Sequence, residues 1–138
     1  MKKTRVLMNE SQAKKDNLFF QCTIPGEPIA QKRPRLTRGH IYSPQHDLKT
    51  NIGYILKRRM NGQEPTTKPT SVKMVFYFKF PQKAHPHCTN KKDLDNIAKF
   101  YLDCLNLIVF SDDHNCVHLE LTKVYSTAPA VTIQVYEL

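Results

Sequence analysis

Asp93 and Asp95 stand two positions apart, between Lys91-Lys92 on one side and Lys99 on the other. A second acidic pair, Asp112-Asp113, follows after an apolar segment. Carboxylates drawn from two separate segments are the hard oxygen ligands that Mg²⁺ takes, with water and substrate phosphate completing its octahedron. A cation so held polarises a phosphodiester and lowers the pKa of a bound water, so the expected chemistry is phosphodiester hydrolysis. Lys99 lies four residues after Asp95, one helical turn along. There its ammonium can hold the scissile phosphate or neutralise charge that develops on it. Two plainer readings compete: an ordinary Asp–Lys helical pair, and acids stabilised by the helix macrodipole. The macrodipole explains one aspartate well and two less well, and it does not explain Asp112-Asp113. Asp103, a further turn on, reads as structural.

The spacing sets a geometric condition. Inside a helix, residues two apart point about 200° away from each other. On an extended chain, residues i and i+2 share a side. Asp93 and Asp95 therefore converge only if the helix begins at or after Asp95, which the preference of Asp and Asn for N-caps allows. The expectation is that both point one way, with Asp112 or Asp113 in reach of the same ion. The chain carries neither a Gly-x-Ser-x-Gly or Cys-His nucleophile signature nor a Gly-x-x-x-x-Gly-Lys phosphate loop.

Charge points to the substrate class. Lys and Arg number 21 against 12 Asp and Glu, a formal net charge of +9 over 138 residues, which favours a polyanion such as nucleic acid. Lys32, Arg33, Arg35 and Arg38 crowd into one segment whose Pro28 and Pro34 forbid a regular helix or a central strand. Guanidinium forks on such a segment suit phosphate oxygens, although a solvated loop has the same composition. The expected DNA contacts are Lys32, Arg33, Arg35, Arg38, Lys91, Lys92, Lys99 and Lys123.

The elements that must position these groups read as follows. Residues 1–16 are polar, lysine-rich and aperiodic, a loose arm ahead of a single domain over 17–138. A strand covers Leu18 to Ile24. Ser43-Pro44 opens a helix whose Leu48, Ile52, Ile55, Leu56 and Met60 form one buried stripe, closed by Asn61-Gly62. Lys49, Lys57, Arg58 and Arg59 occupy its outer face. A flexible linker, Gln63 to Thr70, leads to a strand with Val72, Met74, Phe76, Phe78 and Phe80 on one side. A second helix buries Leu94, Ile97, Ala98, Tyr101, Leu102 and Leu105. A strand from about Cys116 to Tyr125 turns Val117, Leu119 and Leu121 inward, and the short Ser126–Pro129 turn joins it to Ala130–Tyr136 as an antiparallel hairpin. The fold class is α+β: a single-domain mixed sheet of about four strands packed by two helices.

Other classes are disfavoured. No apolar run reaches bilayer length, and Met1 to Met8 has no signal-peptide h-region. Cys22, Cys88, Cys104 and Cys116 follow no framework spacing. A cytoplasmic protein without membrane contact or small organic cofactor is expected. His85, His87 and Cys88, and again His114, Cys116 and His118, do not have a trustworthy zinc spacing.

Lys92-Asp93-Leu94-Asp95-Asn96, then Lys99, then Phe110-x-Asp112-Asp113-x-x-x-Val117 resembles the RusA family of Holliday-junction endodeoxyribonucleases. Gly26-x-Pro28 with Lys32-x-Pro34-Arg35 is similar to the N-terminal signature of its phage and prophage branch. The similarity spans about residues 19 to 136. The resemblance implies a RusA-like fold, paired or intertwined as a homodimer, acting on branched DNA with Mg²⁺ or Mn²⁺. It matches Asp93, Asp95 and Asp113 to the family's metal-coordinating aspartates, Lys99 to its catalytic lysine and Asp112 to the neighbouring acid. It implies paired, symmetric nicking of four-way junctions. The alternative is a non-catalytic DNA-binding or regulatory protein of the same fold.

Overall fold

The computed structural model describes residues 17–32, 35–37, 39–42 and 45–138. The arm 1–16, Arg33, Pro34, Arg38 and the Ser43-Pro44 helix start lie outside the described residues, as do the side chains of 35–37 and 40–42. In chain order the elements are β1 Leu18–Pro25, β2 Arg35–Thr37, β3 His40–Tyr42, α1 His46–Met60, β4 Thr70–Lys79, α2 Leu94–Leu105, β5 Cys116–Ser126 and β6 Ala130–Glu137, with a 3-10 turn at Asp113–Asn115. β2 and β3 pair as a small antiparallel ribbon inside the basic segment. The other four strands make one mixed sheet in the order β1-β6-β4-β5. This is the expected α+β sheet with two helices.

β4 is central because its side chains demand it. Val72, Met74, Phe76 and Phe78 are fully buried, and a strand this apolar needs a neighbour on each edge. β6 pairs antiparallel on one side (Met74 with Ile133, Phe76 with Val131) and β5 pairs parallel on the other (Met74 with Leu121, Phe76 with Lys123). The expected β5–β6 hairpin is therefore absent: the short turn after Ser126 carries the chain past the end of β4, roughly 10 Å, or two strand spacings.

β5 also departs from its alternation. Val117 is 63% exposed and Leu119 38% exposed. The pairing slips between Thr70 and Ser71, so Val117 is left without a partner on β4 and turns out, as a bulged residue does. Leu119 faces the right side, but at a sheet edge with no strand beyond it. Phe80 lies past the end of β4 and is half exposed, its ring 5.7 Å from Tyr125.

α1 buries Ile52, Gly53, Leu56 and Met60, a narrower stripe than the pattern suggested; Leu48 and Ile55 are exposed. At Gly53 the helix comes so close to the chain after α2 that an added Cβ would sit 3.4 Å from Ile108, which tilts the contact face away from Leu48 and Ile55. Asn61, in the left-handed region at φ 51°, ends the helix as expected. Lys49 is not on the outer face: its ammonium lies 3.1 Å from Asp103 and over the Phe100 ring, tying α1 to α2. Asp103 is thus structural. Nor is Gln63 to Thr70 a loose linker. Thr66 is buried, exchanges main-chain hydrogen bonds with Val109 and Ser111, and donates its hydroxyl to Glu137.

Candidate active site

α2 begins at Leu94. Asp93 is its N-cap residue, extended at φ −71° and ψ 135°, and its carbonyl accepts the Ile97 N–H at 3.0 Å. The extended conformation at Asp93 is the expected one, but the helix takes over one residue earlier than convergence required, so Asp95 already sits in the first turn. The Asp93 carboxylate makes no capping hydrogen bond. Among the described residues, Asp93, Asp95 and Lys99 have no ion-pair or side-chain hydrogen-bond partner, and all three are exposed. A cap bond stabilises a helix by about 1 kcal/mol, and that bond is not made. What remains is the macrodipole, about 0.3–1 kcal/mol for an exposed acid, which calls for one aspartate and not for this pair.

Residues 26–32, which lead into the basic segment, run beside this helix start and are fastened at several points. The Gly26 N–H donates to the Pro129 carbonyl, the Ile29 N–H to the Tyr101 hydroxyl at 3.1 Å, and the Gln31 N–H to the Asn96 carbonyl at 2.9 Å. Gln45, buried below α1, donates its amide to the Ala30 carbonyl and accepts from the Lys32 N–H, both at 2.8 Å. Residues 28–32 thus form a rail along the first turns of α2, with the Lys32 side chain exposed on it. Tyr101 counted in the sequence only as an apolar residue, and Gln45 carried no signal. Burial pushes the Tyr101 phenol up to about 12, so it acts there as a neutral hydroxyl.

The expected cations divide into two groups. Lys32, Lys91 and Lys99 are exposed. Lys92 and Lys123 are half-buried and tied inside the protein: Lys92 Nζ donates to the Pro28 carbonyl at 2.6 Å, and Lys123 Nζ donates to the Asn90 and Lys92 carbonyls at 2.9 and 3.0 Å. Arg33 and Arg38 lie outside the described residues, as does the Arg35 side chain.

Asp112 and Asp113 stand elsewhere. Asp112 caps the 3-10 turn: its carboxylate accepts the His114 N–H at 3.1 Å and pairs with His114 Nδ1 at 2.9 Å. Those hydrogen bonds, the side-chain one first, pull Asp112 down to about 2. Asp113 is raised, chiefly by its hydrogen bond with Asp112 and secondarily by desolvation, with the charges of Asp112 and Asp103 adding to it. Asp112 should therefore release its proton well below the usual 3.8 and Asp113 above it, as a ¹³C carboxyl titration of the metal-free protein would read. In Asp112→Asn, Asp113 falls back toward its ordinary value.

Topology separates the two acidic pairs within one chain. Asp93 follows the end of β4, whereas Asp113 precedes β5, which starts beside Thr70 at the beginning of β4. In a parallel strand–helix–strand unit these connections fall at opposite ends of the strands, with a 12-residue helix, about 18 Å, between them. The acid whose charge reaches Asp113 from α2 is Asp103, toward the C-terminal end. Among the described residues no group of three His, Cys, Asp or Glu side chains could hold a metal ion. Within one chain the topology therefore sets Asp93 and Asp95 at one end of α2 and Asp113 toward the other.

The histidine clusters have other engagements. His85 Nδ1 accepts the His87 N–H, and His118 Nδ1 meets Ser71 Oγ at 2.8 Å. Among the described residues no helix is long and apolar enough to cross a membrane.

A Bacillus subtilis (strain 168) protein, Uncharacterized protein YqaN, is similar at 28% identity, with the alignment covering 86% of this chain and 96% of that protein. The family described as Endodeoxyribonuclease RusA matches residues 25–136, a span holding the basic rail, both acidic pairs and Lys99. The chain belongs to the RusA endodeoxyribonuclease family.

Proposed function

We propose that the protein resolves four-way or otherwise branched DNA junctions by paired, symmetric phosphodiester hydrolysis that depends on Mg²⁺, with Mn²⁺ as a substitute. The observation that carries this reading is the set of three charges without a partner among the described residues, Asp93, Asp95 and Lys99, beside a fastened rail that carries Lys32. Carboxylates without internal partners have the donor chemistry that a hard divalent cation needs. When bound, such an ion supplies Lewis acidity toward the phosphate and lowers the pKa of a water. The protein's own groups do the rest. Lys32 and Lys91 hold the backbone on either side of the reacting phosphate, and Lys99 sits one turn from Asp95, where it meets the charge that develops on that phosphate. Because one chain separates the two acidic pairs, Asp113 of the partner subunit completes the ligand set, with Asp112 beside it. A twofold dimer then presents two such sites to a nearly twofold substrate.

A non-catalytic DNA-binding protein would use the same rail but would have no use for unpaired acids beside phosphates. The test is a labelled four-way junction incubated with Mg²⁺ and, separately, with a chelator. Paired nicks at symmetric positions in Mg²⁺ and none with chelator are expected; binding without incision in either Mg²⁺ or Mn²⁺ sinks the catalytic reading.

A second basic surface lies at the far end of α1. A groove of about 670 Å³ is lined by Arg58, Arg59, Ile55, Gln21, Thr23 and Gln134, among others, and by no carboxylate. Arg59 Nε is fixed on the Gln21 carbonyl at 2.9 Å. The groove is about 20 Å along the helix from Gln45, far enough to meet the backbone of a junction arm rather than the reacting phosphate. Replacing both arginines by Ala should lower the slope of log binding against log salt by up to about 2, with the cleavage positions unchanged. A slope equal to wild type removes this surface from the DNA contact.

A further inference from the structure

Lys123 occupies an unusual place for a surface-type residue. It lies on the inner side of β5, in register with the fully buried Phe76 and between Leu121 and Tyr125, which pack on the core. Its ammonium does not reach solvent as a free cation; it takes the Asn90 and Lys92 carbonyls at 2.9 and 3.0 Å. Tyr125, two residues on along the same face, accepts the Thr89 N–H with its hydroxyl at 3.2 Å. The turn is closed from within by the Lys92 N–H on Asn90 Oδ1 at 3.0 Å. One residue later comes Asp93, and from the same turn Lys92 reaches back to the Pro28 carbonyl at the head of the basic rail.

We propose that Lys123 is a positioning residue that sets the acidic pair and the basic rail in one register, acting through the turn Asn90–Lys92. The two charged features come from segments more than sixty residues apart, Pro28 and Lys92. A phosphate held by the rail is useful to Asp93 and Asp95 only at a fixed offset from them. One ammonium fixes that offset: its two carbonyl partners bracket Lys91, and their geometry aims both the Asp93 main chain and the Lys92 side chain. Half-buried, and with two carbonyls already on its ammonium, Lys123 is poorly placed to meet DNA itself, although a count of basic residues would assign it there. The catalytic half of this inference rests on the proposed nuclease reading; the structural half does not.

The test compares wild type, Lys123→Met, Lys123→Arg and Lys92→Met by amide hydrogen exchange in the metal-free protein and by junction cleavage. Lys123→Met should speed exchange about tenfold or more at Thr89 and Lys92 and also at Ile29, Gln31 and Lys32, while Met74 and Ile133 in the sheet stay within about twofold. Lys92→Met should release Ile29, Gln31 and Lys32 but leave Thr89 protected. Lys123→Arg, which can still donate to two carbonyls, should restore most of the protection. In the cleavage arm, Lys123→Met should lower the maximal rate about tenfold or more, with junction affinity and its salt slope unchanged. Protection unchanged at the rail overturns the proposal, and so does faster exchange spread evenly over the sheet. A loss of affinity with a slope lower by about 1 makes Lys123 a phosphate contact instead. If Lys123→Met does not fold, the Lys92→Met pattern decides: rail and turn released together would show that the turn is not held independently from β5. Should wild type fail to cut any junction, the nuclease reading fails, and the exchange pattern still judges the brace.

Discussion

Asp95→Asn protein should incise a four-way junction about 10³-fold more slowly than wild type, or worse, in saturating Mg²⁺. The substitution keeps the side chain's volume and removes only the charge, so α2 should form as before. Asp95 is exposed and makes no ion pair or hydrogen bond among the described residues, so folding stability should change by no more than about 0.5 kcal/mol. Binding has a definite sign as well. In metal-free buffer a carboxylate next to phosphate repels it, so the variant should bind the junction equally well or somewhat more tightly. A variant that loses binding and cleavage together would mean that Asp95 supports the structure of the rail. One that cuts at the wild-type rate would remove it from the metal set. Asp93→Asn should behave alike, since its carboxylate is equally free of a capping role.

Mixing two inactive proteins should restore cleavage. If each site takes Asp93 and Asp95 from one chain and Asp113 from its partner, Asp95→Asn homodimers and Asp113→Asn homodimers are both dead. After co-refolding, random pairing makes about half the dimers mixed, and each mixed dimer has one of its two sites intact, so about a quarter of the wild-type sites return. These dimers carry a single working site and should nick one strand rather than two. A site completed within one chain predicts instead that every mixed dimer stays inactive, because each chain then brings its own lesion to its own site. The experiment therefore separates the shared site from the self-contained one by more than a hundredfold in signal, given the depth of the single losses. Its motive is topological: β4, α2 and β5 form a parallel crossover, and the acids lie at its opposite ends.

Much of the fold could be read locally. β4 declares itself through strict alternation of Val72, Met74, Phe76 and Phe78, all fully buried, and α2 through its apolar face from Leu94 to Leu105. Asn61 at the end of α1 takes the left-handed conformation that Asn-Gly suggested. Pairing order was not legible. A short turn after Ser126 fits a hairpin equally well as a step past one strand, and only the need to cover both edges of β4 decides between them. Leu48, Ile55 and Val117 were misplaced for the same reason: periodicity gives the side a residue faces, whereas exposure depends on which neighbour arrives there.

The candidate site divides along the same line. By its own order of residues, the sequence determined which groups can do chemistry: two acids and a lysine spaced across a helix start, a second acidic pair, and a proline-stiffened run of cations. Side-chain type and short spacing are local properties, and they survive any packing. Only the tertiary structure decided that Asp93 and Asp95 have no side-chain partner among the described residues, that α2 stands between them and Asp113, and that the Lys92 and Lys123 ammonium groups are spent on main-chain carbonyls. Distance between segments and the partners of a long flexible side chain are set by strand order and burial. A lysine turned inward against Phe76 and a lysine turned out to solvent look alike until the sheet is built.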